Sequence, residues 1–420
     1  VSDTLEPPDS HELDEPRVHT FASLRSRNFR LFFTGQMISQ IGNWLTLVAQ
    51  SLLVLKLTNS GIAVGVMAAC QFLPVLLFGV WTGLVADRSD KRKLLIIVQS
   101  FAMLQSFALA TLAFMHHAPI GAFYAVALAG GFATAFDNPA RRAFVVEMVP
   151  KDQVQNAVSL NSAMMTGSRI FGPALAGLLI STVGFGWCFL VDGVSYIAVI
   201  AGLWMMRPAE LNRSIPAPKS PGQIRAGLRY ARSVPELWVP LTMMTIVGTL
   251  AFNFTVVMPL FVKRTLHGTD TSFTLIYSAV SVGSVLAALY AARRSRATLR
   301  HVTIAAAAFG ITLLAFASAP NLASAFPLGV GMGFGSMLFM TSATAIVQMR
   351  ADPAMRGRVL ALQAIVFLGT TPIGGPLMGW VCDRFGARAG FMVGGVACLA
   401  AAGWGYASAR TRRRLTLAPA

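Results

Sequence analysis

Residues 61–115 read GIAVGVMAACQFLPVLLFGVWTGLVADRSDKRKLLIIVQSFAMLQSFALATLAFM, and their pattern decides the fold. Two apolar runs, 61–86 and 94–115, each match the roughly 20 residues a helix needs to cross the hydrocarbon core. Between them GLVADRSDKRK (83–93) packs six charged side chains into eleven residues. Such a break returns the chain to the same side of a membrane, so the stretch reads as two antiparallel spans. Composition extends that reading to the whole chain. Of 420 residues 55% are apolar and only 12% charged, with a mean hydropathy of +0.62. Soluble domains carry roughly 25% charged residues, so the solvent for most of this surface is lipid.

Twelve runs of spanning length occur, near 30–55, 61–86, 94–115, 120–142, 154–182, 187–206, 236–258, 272–292, 301–319, 323–347, 359–382 and 389–408. Pro139 predicts a kink or an end in the fourth. The net charge of +17 points to membrane topology rather than to nucleic acid. Six acids (Asp3, Glu6, Asp9, Glu12, Asp14, Glu15) occupy the first sixteen residues, leaving the remainder at +23 in short clusters between spans. With an even number of spans and a cytoplasmic N-terminus, 28 of the 34 basic residues fall on the cytoplasmic side and five (Lys56, Lys263, Arg264, Arg384, Arg388) outside. The positive-inside rule therefore puts both termini in the cytoplasm. The acidic start lacks the basic region of a signal peptide, so the first apolar run is expected to be retained.

The longest break, 207–235, holds Pro208, Pro216, Pro218 and Pro221 followed by QIRAGLRYAR. Arg225, Arg229 and Arg232 share one helical face and Ile224, Leu228 and Ala231 another. This predicts a flexible linker and a short helix on the cytoplasmic leaflet. The expected organisation is an acidic tail (1–28), a six-helix bundle (29–206), the linker (207–235), a second six-helix bundle (236–408) and a basic tail (409–420). The halves also repeat: AMMTGSRIFGPALAGLL around Gly172-Pro173 returns as VFLGTTPIGGPLMGWV around Gly375-Pro376. A duplicated six-helix unit is typical of secondary transporters, with the substrate site between the repeats.

Twelve spans arranged as six plus six around a long central loop resemble the major facilitator superfamily. Gly83, Asp87, Arg88, Arg92 and Lys93 fit that superfamily's motif between the second and third spans, with Asp90 where Gly is usual. The resemblance implies a charge relay holding the two halves together on the cytoplasmic side, with Asp87 available to cap a neighbouring helix. GWVCDRFGAR (379–388) fits the same pattern, but by span count it lies outside and reads as a turn. Ser159, Ser168, Gly172, Pro173, Ala176 and Gly177 resemble the small-residue antiporter motif of exporters, where small side chains let helices approach closely. FTGQMISQIGNWL, LTNSGIAVGVMAACQFLP, RIFGPALAG, NFTVVMPLF and RGRVLALQ resemble the transmembrane secretion effector branch, which includes enterobactin-exporter-like and macrolide-efflux-like proteins. The fold this implies is an all-α membrane protein of two pseudo-symmetric six-helix bundles.

In that fold the first, fourth, seventh and tenth helices line a central cavity. The residues point the same way: polar stripes cannot face lipid unsatisfied. The candidates are Gln36, Gln40, Asn43 and Gln50 in the first span; Thr134, Asp137, Asn138, Arg141 and Arg142 in the fourth; Thr242, Thr245, Thr249 and Asn253 in the seventh; and Ser336, Thr341 and Thr344 in the tenth. Charges within a span cost roughly 2.5–3.5 kcal/mol each. Asp137 and Arg169 reach similar depths and are expected to pair or exchange partners, with Asp137, Arg141 and Arg169 as coupling candidates. Asp192, in the sixth helix, is expected to tie helices. The drug–proton antiporters of the superfamily carry an Arg before a Gln-Gly high in the fourth helix, and YAVALAGGF (124–132) has none.

No GxxxxGK phosphate loop occurs, and GVGMGFG (329–335) lies within a span as a packing element. Cys70, Cys188, Cys382 and Cys398 sit in apolar surroundings and read as small core residues. His116-His117 has no second ligand cluster, so neither a metal nor a cofactor is expected. The reading is a monomeric exporter of the inner (cell) membrane, not an enzyme. It would move amphipathic small molecules, drugs or siderophores, out of the cell in exchange for protons, with no nucleic-acid partner. A lipid or lysolipid flippase of the same fold and a non-transporting membrane sensor are the alternatives.

Overall fold

The computed structural model of the chain describes residues 20–115, 117–212, 223–293 and 298–417. Most of the acidic tail, Arg17, His116, the proline-rich linker core at 213–222, Arg294 and Arg296 lie outside them. The described residues form helices, turns and short connections, with twelve helices long and apolar enough to cross a membrane. Lipid leaves no alternative for a chain without closed strands, because every backbone N–H must be satisfied within its own segment.

The first six spans are Arg27–Thr58, Gly61–Arg88, Lys91–Phe114, Ile120–Glu147, Val154–Thr182 and Phe185–Trp204. The seventh is interrupted: Pro235–Leu250, Phe254–Leu260 and a π turn, Phe261–Thr265. The eighth, ninth and tenth are Asp270–Ala292, Leu299–Ala317 and Leu322–Arg350. The eleventh breaks into Pro353–Leu368 and Thr371–Phe385, and the twelfth runs Ala387–Leu417 through most of the expected tail. The fourth span continues through Pro139 to Glu147. Polar caps set several helix starts: Ser60 for the second span, Asp90 for the third, and reciprocal capping pairs for the eighth to tenth. Asp90, which stands where the superfamily has Gly, thus satisfies the Lys93 amide at 3.1 Å.

Large apolar side chains such as Leu77, Ile97, Leu104, Leu289 and Ile311 are exposed, as a lipid-facing surface requires. The linker helix, Gln223–Ser233, packs against the protein itself. Ala231 is buried, the Tyr230 hydroxyl accepts from the Asp352 amide at 2.9 Å, and Gly227 lies against the Arg358 stem. Arg225, Arg229 and Arg232 face outward. The helix is therefore docked on the start of the eleventh span.

The two halves meet along the second and eleventh spans and along the fifth and eighth. At one end the approach is backbone to backbone. A Cβ on Gly65 would fall well inside van der Waals contact with the Gly375 carbonyl, and one on Gly379 would strike Gly61. Only glycine permits that separation.

Candidate transport pathway

The tightly packed end, which carries Gly61 and Gly379, is fastened by Asp383. Its carboxylate accepts from the Gly61 amide at 2.8 Å, the Ile62 amide at 3.0 Å and the Ser60 hydroxyl at 3.0 Å. It therefore caps the second span from across the interface, where the helix dipole favours an anion. Arg264 pairs with the same carboxylate at 2.8 Å and also donates to the Asn59 carbonyl. GWVCDR thus forms the last helical turns of the eleventh span rather than a turn, and the expectation of a bare connection is corrected. Gly386, at φ +88°, ends that helix. Along the other contact between the halves, Gly177 meets Thr274 of the eighth span, and Ser278 donates to the Ile170 carbonyl at 2.9 Å.

The opposite end, which carries the basic clusters, is open. A cavity of about 460 Å³ separates the second and fourth spans from the start of the eleventh, between Asp87 and Arg142 on one wall and Gly357 and Arg358 on the other. At Gly83, Gly167 and Gly357 nothing outside the residue's own helix backbone lies within 4 Å of where a Cβ would stand. Asp87 is exposed and makes no hydrogen bond or ion pair among the described residues, so the cap expected of it is not made in this conformation. Other parts of the motif are engaged. Arg92 donates to the last carbonyls of the sixth span, Leu203 at 2.6 Å and Trp204 at 3.0 Å, while Arg88 and Lys93 are exposed. Lys91 forms a buried pair with Glu147 at 2.8 Å, which ties the third span to the end of the fourth.

A second cavity of about 350 Å³ lies on the inner face of the N-terminal half and shares Thr134 and Asn138 with the first. Gln40, Asn43, Asn138, Asp137, Arg141 and Arg169 all line it. Asp137 pairs with Arg141 one turn along its own helix and accepts from Gln99 at 2.8 Å. The anticipated Asp137–Arg169 pair is absent: a local partner at i+4 has taken the carboxylate. Arg169 instead lies 5.2 Å over the Trp44 ring. Gly172 makes room for Trp44, and Pro173 follows it inside the fifth span.

Other candidates stand elsewhere. Gln36 is buried behind Arg141, bonded to it at 3.5 Å and to Gln40 at 3.4 Å. Gln50 is 2% exposed with both amide atoms unpartnered. Asn253 packs against Gly374 and donates to the Thr249 carbonyl at 2.7 Å, so it spans the break in the seventh helix. Thr344 accepts from Gln363 at 2.6 Å, and Thr341 donates to its own helix. None of these five lines either of the two cavities. Asp192 ties three helices, accepting from Thr46 of the first and Ser106 of the third at 2.7 Å each. Reading the sequence missed Trp44, Gln71, Gln99, Gln105 and Tyr196 on this wall. Three of them are glutamines inside otherwise apolar spans, which is the signal that marks them.

Two bundles of six helices around a cavity open at one end define a multi-pass membrane transporter rather than an enzyme. The chain belongs to the transmembrane secretion effector family of the major facilitator superfamily, whose family model matches residues 18–413. It is 25% identical to the staphyloferrin A transporter of Staphylococcus aureus, over 88% of this chain and 93% of that one. It is 23% identical to macrolide efflux protein A of Streptococcus pyogenes, over 89% and 94% of the two chains. Among solved structures, a bacterial homologue of the human lysosomal transporter Spinster, in an inward-facing and unoccupied conformation, superposes with a TM-score of 0.71. That match covers 94% of this chain and 99% of that one at 16% identity.

Proposed function

We propose that the chain exports amphipathic small molecules, of the drug or siderophore kind, by alternating access and in exchange for protons. The observation that carries this reading is the asymmetry of the interface, sealed at the Gly61–Gly379 end and open at the basic end. The bias of basic residues makes the open end cytoplasmic, with both termini there and the protein in the cell membrane. This conformation then loads from the cytoplasm. Export by relatives named for macrolide efflux and multidrug efflux supports the direction.

Coupling is assigned to Asp137 and Arg141. Their pair is mostly buried, with side chains 13% and 8% exposed, and a buried pair is held against a large desolvation cost. Protonating Asp137 removes the charge that holds Arg141 and leaves the guanidinium with Gln36 as its remaining partner. The cavity wall would thereby change with each proton.

Uptake of a panel of dyes, macrolides and amphipathic acids into inverted vesicles under an imposed pH gradient tests this. Gradient-driven uptake that is lost in Asp137→Asn at normal protein abundance is expected. Uptake that ignores the gradient would contradict proton exchange, and unchanged uptake in Asp137→Asn would remove that residue from coupling.

A further inference from the structure

Four charged side chains line the N-terminal cavity, and three have their polar partners inside the protein. Asp137 holds Arg141 and accepts from Gln99. Asp192 is 1% exposed and accepts from two hydroxyls. Arg169 differs. No carboxylate lies within ion-pair distance of it among the described residues, and its side chain is exposed on the cavity.

Position makes this costly. Arg169 sits near the middle of the fifth span, about 20 Å of helix from either end at 1.5 Å per residue, too far for the side chain to snorkel to a membrane surface. A mid-span guanidinium is costly to insert and marks function by default. Its geometry is also prepared. The guanidinium rests on the Trp44 indole, and Trp44 packs against Tyr277 of the opposite half with ring centroids 6.0 Å apart. This cation–π contact holds the guanidinium while leaving N–H groups to receive a second, bidentate partner.

We infer that the substrate is an amphipathic anion whose carboxylate or equivalent acidic group docks on Arg169, with its apolar body against Trp44, which Tyr277 backs from the other half. Beside Arg169 a cation finds no free counter-charge, because the two carboxylates of this cavity, Asp137 and Asp192, are engaged or buried and Asp87 lies in the adjoining one. The inference rests on the transporter reading above and names the substrate class of the same site.

The test is equilibrium binding of radiolabelled probes to the purified full chain in detergent, with no transport involved. Novobiocin serves as a compact drug-like anion, oleate as a lipid-like anion and tetraphenylphosphonium as a cation. At least one anion is expected to bind saturably, at least tenfold more weakly to Arg169→Gln and with part of that loss restored in Arg169→Lys. Cation binding should not weaken in either variant. Novobiocin binding points to drug-like acids and oleate binding to lipid-derived ones, and either supports the inference. It is overturned if the wild-type chain binds neither anion, or if a folded Arg169→Gln variant binds them unchanged. A chain that binds anions through Arg169 yet moves nothing in vesicles would contradict the export reading alone.

Discussion

The two ends of the interface between the second and eleventh spans are built on the same pattern and stand in opposite states. Gly83-Leu84-Val85-Ala86-Asp87-Arg88 closes the second span, and Gly379-Trp380-Val381-Cys382-Asp383-Arg384 nearly closes the eleventh. Both follow Gly-x-Val-x-Asp-Arg. In the eleventh span the glycine touches backbone and the aspartate caps the facing helix. In the second span the glycine meets nothing within 4 Å and Asp87 faces a cavity wall holding Gly357 and Arg358. One device, placed at opposite ends of antiparallel partners, is engaged at one end and idle at the other. The difference shows what a seal consists of: close glycine packing plus a carboxylate on a helix N-terminus.

The largest effect should come from breaking the seal that exists. Gly65→Leu places a branched side chain where no atom fits, so the sealed end cannot close and transport should be abolished. Spin labels at Leu57→Cys and Phe385→Cys, two exposed positions flanking that end, should then report a long separation only. A smaller shift is expected from Asp383→Ala, which removes a cross-interface cap and its Arg264 pair. Both charged partners are partly exposed, at 31% and 23%, so the loss is about 1 kcal/mol, roughly a fivefold gain in the open-end population. Asp87→Asn should leave the label distances of this conformation unchanged and depopulate only the state closed at the basic end. Gly83→Ala sharpens the contrast from the other side: with open space around it, the present conformation should not respond within the error of the same measurement.

Much of this architecture is legible in the sequence because lipid imposes a length on apolar runs. The third span, read as 94–115, is Lys91–Phe114, and the fifth is Val154–Thr182 as read. Differences at the ends come from caps: Asp90 starts the third helix before its apolar run begins. The site was less legible. Depth along a helix can be counted from the sequence, which put Asp137 level with Arg169. Rotation about the helix axis and the choice among partners cannot, and Arg141, one turn away, took the carboxylate. Asp383 illustrates the same limit at long range. Its partners Ser60, Gly61 and Ile62 lie in the other half of the chain, and only assembly of the two bundles reveals what it caps. Asn253 and Thr344 carry the right polarity for a cavity wall, yet a broken helix and Gln363 use them instead.

The most direct test of the central claim, that the two ends seal in alternation, is to measure both at once. Double electron–electron resonance on the full chain in nanodiscs would compare the sealed-end pair, Leu57→Cys with Phe385→Cys, and a basic-end pair, Val146→Cys with Met349→Cys, across pH and with each probe anion. The account predicts opposite movements: every condition that lengthens one pair shortens the other. Distances that lengthen together, or a basic end that never closes under any condition, would contradict it.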